Sequence, residues 1–418
     1  MRVYLRGRVK TCHSRFIFLL IATALIGSNP AFALTCPATI AKGKSLMIRA
    51  LSVVEDPERT AWTGSTDTTS DGAWSFGRLM SSMAGTNDPS DFVQRWLEHW
   101  EADRRVNDLN VPARPSIKSL VTDPWPKLVN GKIDLTKAPM RLLAIVYRPD
   151  LRNLAIGTAG EGRFVFGVLD GAGSPLQFTV ILEYTLPALT SRDVRKWASV
   201  FQKLSSLKFG PAFNANLEKI TNRFTAKNAV PTRINGSAIS QIRTNEIALD
   251  FPWELREFRL DPQTMFLQEV TVAQTPAIDF NGTGTLADWL DANTSAILRK
   301  KGTNSIEVPL VFDGQPFRAG AITNNIDIWN ATASNRKAMF KVAFNTCNGC
   351  HGAETNTSFL HVTPREAGSV ASLSAFLTGT TVDDPRDGRP VRRFNELERR
   401  KANIAIILCP PENQRGSE

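Results

Sequence analysis

The chain is poor in the side chains that carry chemistry: among 418 residues there are four histidines and five cysteines. No Gly-x-Ser-x-Gly, P-loop or His-Glu-x-x-His occurs. That removes the serine-hydrolase elbow, the phosphate-cradling loop and the zinc-protease helix from consideration. Gly160-Glu161-Gly162 is not a dinucleotide fingerprint, because the third glycine is misplaced and a strand-like run follows. There is no run of five or six Lys/Arg and no basic stripe interleaved with aromatics, so nucleic acid is not an expected partner despite a formal net charge of +10. Half of that excess sits on Arg2, Arg6, Arg8, Lys10 and Arg15, within a first 33 residues that contain no acid. After residue 27 no apolar run approaches the roughly 20 residues that span a bilayer. Repeats and low-complexity tracts are also missing. With 42% hydrophobic and 22% charged residues, the composition suits a globular chain with a sizeable core and excludes a disordered or collagenous one.

What is present begins with the N-terminus. A basic stretch leads into the apolar run Phe16 to Gly27, then Asn29-Pro30 and the small-residue ending Ala31-Phe32-Ala33. These are the three parts of a secretory signal, and cleavage is expected after Ala33. Thr35 before Cys36 fits a lipoprotein box poorly, so the mature chain is expected to be exported without a transmembrane anchor. Cys12 leaves with the signal. Cys36, Cys347, Cys350 and Cys409 remain, enough for two disulfides in three pairings. If the 347/350 pair is otherwise occupied, Cys36 and Cys409 are left to bridge the two ends of the mature chain.

Helical signals over Lys42 to Glu55, Ala73 to Met80 and Phe92 to Asp103 give way to strands near residue 140. Met140 to Tyr147, Arg163 to Asp170 and Leu176 to Tyr184 read as strands, the last two joined by the hairpin loop Gly171 to Pro175. Helices at Ser191 to Leu207 and Pro211 to Thr225 precede further strands at Arg243 to Asp250, Trp253 to Leu260 and Phe266 to Ala273. A helix over Leu286 to Lys301 and a strand over Val308 to Phe312 follow. Ser334 to Phe344, Ser369 to Leu377 and Phe394 to Leu408 are helical again. Blocks of strands and blocks of helices, without regular alternation, predict an α+β class. The expected organisation is a signal over 1–33, a mixed α+β body over 34–325 and a small helical segment over 326–418.

That last segment contains Cys347-Asn348-Gly349-Cys350-His351. Cys-x-x-Cys-His is the pattern of covalent haem c attachment. Each thiol adds to one vinyl group of the porphyrin, and the adjacent imidazole ligates the iron from the proximal side. Such attachment takes place outside the cytoplasm, which agrees with the signal. Two other readings stay open: a short Cys347–Cys350 disulfide, and a metal site of Cys347, Cys350, His361 and a carboxylate such as Glu354.

The stretch "FKVAFNTCNGCHG", Phe340 to Gly352, resembles the opening of a class I c-type cytochrome domain, where an aromatic-bearing helix runs into the attachment motif. The resemblance implies one covalent haem c, one-electron transfer and a redox partner protein. It also implies a distal methionine downstream, yet no Met follows His351. His361 is then the expected distal ligand, with His99 and Met339 as remote alternatives. Over most of its mature length the chain is similar to a group of uncharacterised exported bacterial proteins. These carry segments like "AGEGRFVFGVLD", "RTNEIAL…WELREFRL" and "NTCNGCHGAET…FLHVTPR", and the similarity implies a periplasmic or extracellular location. The competing function class is a non-enzymatic exported binding or structural protein stapled by disulfides.

Other features are expected to be structural. Glu161 and Arg163 open a half-buried strand, and Glu246, Glu254, Arg256 and Glu257 are expected to form ordinary ion pairs. Trp96 and Trp100 around His99 are expected to be core.

Overall fold

A computed structural model describes residues 39–65, 68–299, 307–324, 328–386 and 391–410. The expected signal over 1–33 and Cys36 lie outside the described residues. Residues 36–418 form one compact unit. The segment after residue 326 therefore belongs to the same body as the strands before it. No helix among the described residues is long and apolar enough to cross a membrane.

The organising element is an eight-stranded sheet. Its strands are β1 (Met47–Ile48), β2 (Met140–Arg148), β3 (Thr158–Leu169), β4 (Pro175–Pro187), β5 (Ile239–Glu246), β6 (Trp253–Leu260), β7 (Leu267–Val270) and β8 (Ile322–Asn324). They run in the order β1-β2-β3-β4-β5-β6-β8, with β7 also pairing β6, and every pairing is antiparallel. Strands and helices segregate as expected for an α+β protein.

Strand alternation gives the sheet two unlike faces. On β3 and β4, Phe164, Phe166, Val180, Leu182 and Tyr184 point one way and are all buried. Four helices cover that face: α1 (Phe76–Met83), α2 (Pro89–Leu97), α3 (Ser191–Lys203) and α4 (Pro211–Thr225). Phe76 meets Phe166 edge-on at 5.6 Å, Trp96 meets Phe258 at 6.0 Å, and Tyr147 stacks on Phe201 at 4.2 Å. Gly162 is small because Phe224 of α4 lies on it; a Cβ there would come within 2.5 Å of that ring. Asp88 caps α2 as its sequence suggests, accepting from the Asp91 amide, and Thr190 and Asp193 close a capping box on α3. The Trp96/Trp100 stripe is fully buried core, as expected.

The other face of β3 and β4 carries Glu161, Arg163, Thr179, Ile181, Glu183 and Thr185, and the C-terminal part of the chain lies over it. That part begins with α5 (Gly284–Arg299) and α6 (Arg336–Ala343), which pack together around Trp289, Phe317 and Trp329. It continues through the one-turn α7 (Cys347–Cys350) and ends in α8 (Glu396–Leu408). Arg365 ties it to the sheet edge, bonding Glu55 and the Leu142 carbonyl.

Two expectations fail locally. Lys42 to Glu55 is not one helix: Met47 and Ile48 leave helical geometry to pair with Val146 and Ile145, burying both side chains. Ser369 to Leu377 is extended until a single turn at Ala375–Thr378, because Val362 bridges to Leu373 and Ser374 bonds the His361 carbonyl. In both cases tertiary pairing overrides a helical pattern.

Candidate functional site

Thr346 caps α7: its Oγ1 accepts from the Gly349 amide at 3.1 Å and donates to the Ala343 carbonyl at 2.6 Å, coupling the motif to the end of α6. Gly349 allows that closeness, since a Cβ on it would sit 1.9 Å from the Ala343 oxygen. Around the turn, Thr275 Oγ1 accepts from the Cys347 amide at 2.9 Å. Asn324 donates to the Asn348 carbonyl at 3.0 Å, and Trp329 Nε1 donates to Asn348 Oδ1 at 2.7 Å. The two residues between the cysteines are thus the buried, clamped side of the turn. Cys347, Cys350 and His351 line the cleft beneath it.

The thiols of Cys347 and Cys350 are both free. Burial pushes Cys350 up to about 12 and raises Cys347 as well, so both are neutral at pH 7. His351 Nδ1 is hydrogen-bonded to the Phe359 carbonyl. A carbonyl only accepts, so Nδ1 carries the proton and the lone pair is on Nε2. Burial lowers this imidazole to about 4, keeping it neutral. Phe359 presents its carbonyl from a left-handed backbone at φ 61°, an uncommon conformation for a bulky residue. Its ring and that of His351 both stack on the buried Trp253, at 6.0 and 5.2 Å.

His361 stands against His351 with ring centres 4.2 Å apart. Its Nε2 lies 3.4 Å from Cys350 Sγ and its Nδ1 2.8 Å from Ser374 Oγ. Imidazoles on opposite sides of one metal ion, with metal–nitrogen bonds of ~2.0–2.1 Å, have ring centres roughly 6 Å apart. The expected distal role of His361 therefore does not suit this arrangement, in which the residue sits beside the second cysteine. His99 is not an alternative: it is buried on the opposite face of the sheet, with Nδ1 against the Arg95 and Trp96 carbonyls. Met339 is core between α5 and α6.

Glu354 does not join the thiols either; it is held by Arg386 through bonds of 2.9 and 3.0 Å. Among the described residues, no group of three or more His, Cys, Asp and Glu side chains is arranged to hold a bare metal ion. Cys409 is disulfide-bonded; its expected partner Cys36 lies outside the described residues.

The cleft itself has a volume of about 1360 Å³, above the ~300–1,000 Å³ of ordinary small-molecule pockets. Its floor is the polar sheet face. Glu183, with no exposed surface, accepts from Gln241 at 2.7 Å and pairs with Arg163 at 2.9 Å. Burial works to raise its carboxyl, but Arg163 and Arg243, with the Gln241 hydrogen bond, hold it below the usual range. Arg163 also bonds Glu161 at 2.8 Å, and Arg243 bonds Glu257 at 3.1 Å. Seven arginines line the cleft against three glutamates. Comparison of the chain with family models, with curated proteins and with solved structures finds no match. The site's chemistry is therefore read from its own geometry.

Sequence reasoning found Cys347, Cys350 and His351, which the fold brings together, and missed the cleft they face. Glu183, Arg243, Arg148 and Arg400 come from four separate elements. Met47 also lines the cleft, about 300 residues before the motif, and only the pairing of β1 with β2 brings it there. The period-two pattern of "GEGRFVF" and "FTVILEY" was the one signal that marked a polar row opposite the apolar face of β3 and β4.

Proposed function

We propose that this is an exported c-type protein that binds one haem covalently through Cys347 and Cys350, with His351 as the proximal ligand, and transfers single electrons. The observation that carries the reading is the hydrogen bond from His351 Nδ1 to the Phe359 carbonyl, next to two free thiols facing the same cleft. Metal-ligating histidines characteristically donate their second nitrogen in this way, which fixes ring orientation and leaves the other nitrogen for the metal. The donor set suits haem better than a bare ion: among the described residues the thiols and imidazole do not join a group of three or more His, Cys, Asp and Glu side chains arranged to hold one. When bound, haem supplies a one-electron iron couple. The chain's own residues hold the proximal imidazole neutral and stacked on Trp253, screen that side from water, and line the cleft with arginines suited to carboxylate groups. The secretory signal and the disulfide at Cys409 agree with an oxidising compartment, and a redox partner protein completes the role.

The test is co-expression with a cytochrome c maturation system, followed by an alkaline pyridine spectrum of the denatured protein. A haem band that survives denaturation and extraction is expected. Protein recovered folded and without that band overturns the proposal.

A further inference from the structure

Arg400 of α8 lines the cleft and is 4% exposed. Its guanidinium makes no hydrogen bond among the described residues, and Nε is buried without a hydrogen-bond partner. Its one ion pair among the described residues is a 3.8 Å contact with Asp150. That carboxylate already accepts from Arg148 at 3.0 and 2.8 Å and from Arg399 at 2.8 Å. The other acid nearby, Glu396, is taken by Arg399 at 2.8 Å. Of the other cleft arginines, Arg148, Arg163, Arg243 and Arg259 pair with acids, while Arg152 and Arg233 donate to neutral oxygens, so Arg400 is the one of the seven without a hydrogen bond among the described residues. Burial first, then the neighbouring Arg148, lowers its pKa to about 9, so it remains charged at neutral pH. A buried, charged guanidinium without hydrogen bonds is costly unless an anion completes it. The planar fork of arginine matches a carboxylate through two parallel bonds.

We infer that the cleft binds a carboxylate at Arg400. Arg400 lines the same cleft as Cys347, Cys350, His351 and His361, so the bound carboxylate shares the cavity with the motif. The inference rests on the cleft and not on the haem reading. The carboxylate is that of a free organic acid or one carried by a macrocycle held at Cys347 and Cys350.

Two arms test it and separate the sources. In the first, the mature chain made without maturation machinery is titrated with succinate by calorimetry, comparing wild type with Arg400→Gln and Arg400→Lys. Saturable binding is expected in the wild type and at least tenfold weaker binding in Arg400→Gln. Arg400→Lys, which keeps the charge but loses the fork, is expected to fall between them and serves if the glutamine variant does not fold. No binding by the wild type, or equal binding by the variants, overturns the inference. Because this arm needs no haem, its outcome is independent of whether haem attaches. The second arm repeats the titration on haem-loaded protein. Persistent succinate binding identifies a free acid as the natural ligand. Loss of binding on loading, with a shift of reduction potential in Arg400→Gln, identifies the macrocycle's own carboxylate.

Discussion

Asp150→Asn is the sharpest probe of how the roof of the cleft is fastened to its floor. Asp150 follows β2, its side chain is 1% exposed, and it receives Arg148 at 2.8 Å, Arg399 at 2.8 Å and Arg400 at 3.8 Å. It is the point where α8 is tied electrostatically to the sheet. Asparagine keeps the size and removes the anion, leaving the half-buried Arg148 (side chain 14% exposed) and the buried Arg400 (side chain 5%) without it. Breaking a buried ion pair by removing one partner costs about 3–5 kcal/mol. Arg399, at 29% exposed, regains water and adds little. The loss is a large part of the ~5–15 kcal/mol that stabilises a typical domain. Urea unfolding at pH 7 measures it, as a lower midpoint with an unchanged slope. The cations hold the Asp150 carboxyl well below 3.8. Its contribution is therefore present above the unfolded value and lost as pH falls through the depressed folded one, so the gap to Asp150→Asn closes only in strong acid. Arg148→Met combined with Asp150→Asn should recover roughly 2 kcal/mol of the single-variant loss. A single variant within 1 kcal/mol of wild type, or a double variant no better than the single, would refute this reasoning.

Two further outcomes follow from the same geometry. Glu269, packed beside Arg256 and Glu254 on the opposite face of the sheet, is raised by burial from 4.5 to about 7. A raised carboxyl contributes stability that is complete below the unfolded pKa and lost as pH rises through the folded one, here roughly 3 kcal/mol between pH 4.5 and 7. Glu269→Gln should remove that slope in urea unfolding across the interval, and an unchanged slope contradicts the assignment. Gly349→Ala places a methyl group 1.9 Å from the Ala343 carbonyl, so α7 must move away from α6. It should cost roughly 1–3 kcal/mol in thermal unfolding and lower the haem-to-protein ratio, whereas an unaffected ratio argues against a fixed attachment turn.

Much of the fold was legible because the sheet strands are long and strongly patterned. Met140 to Tyr147, the "GEGRFVF" and "FTVILEY" strands and their hairpin loop appear where alternation and turn residues put them. Elements stabilised mainly by distant pairing were not legible: Met47 and Ile48 look helical in isolation and become a strand only against Ile145 and Val146. The motif residues could be read because Cys347, Cys350 and His351 lie within five consecutive positions. The cleft could not, since Arg148, Glu183, Arg243 and Arg400 meet only after the C-terminal segment folds back over the sheet. His361 was chosen as a distal ligand from scarcity, being one of few histidines. Its neighbours, Cys350 and Ser374, place it beside the end of α7 instead.

The central claim is covalent haem at Cys347 and Cys350, and intact-mass measurement of the exported protein tests it most directly. The account predicts one population heavier by a single haem, the addition mapping to the peptide that carries both cysteines and disappearing in Cys347→Ala/Cys350→Ala. A folded, matured protein at the bare polypeptide mass, or one with Cys347 and Cys350 joined as a disulfide, would contradict it.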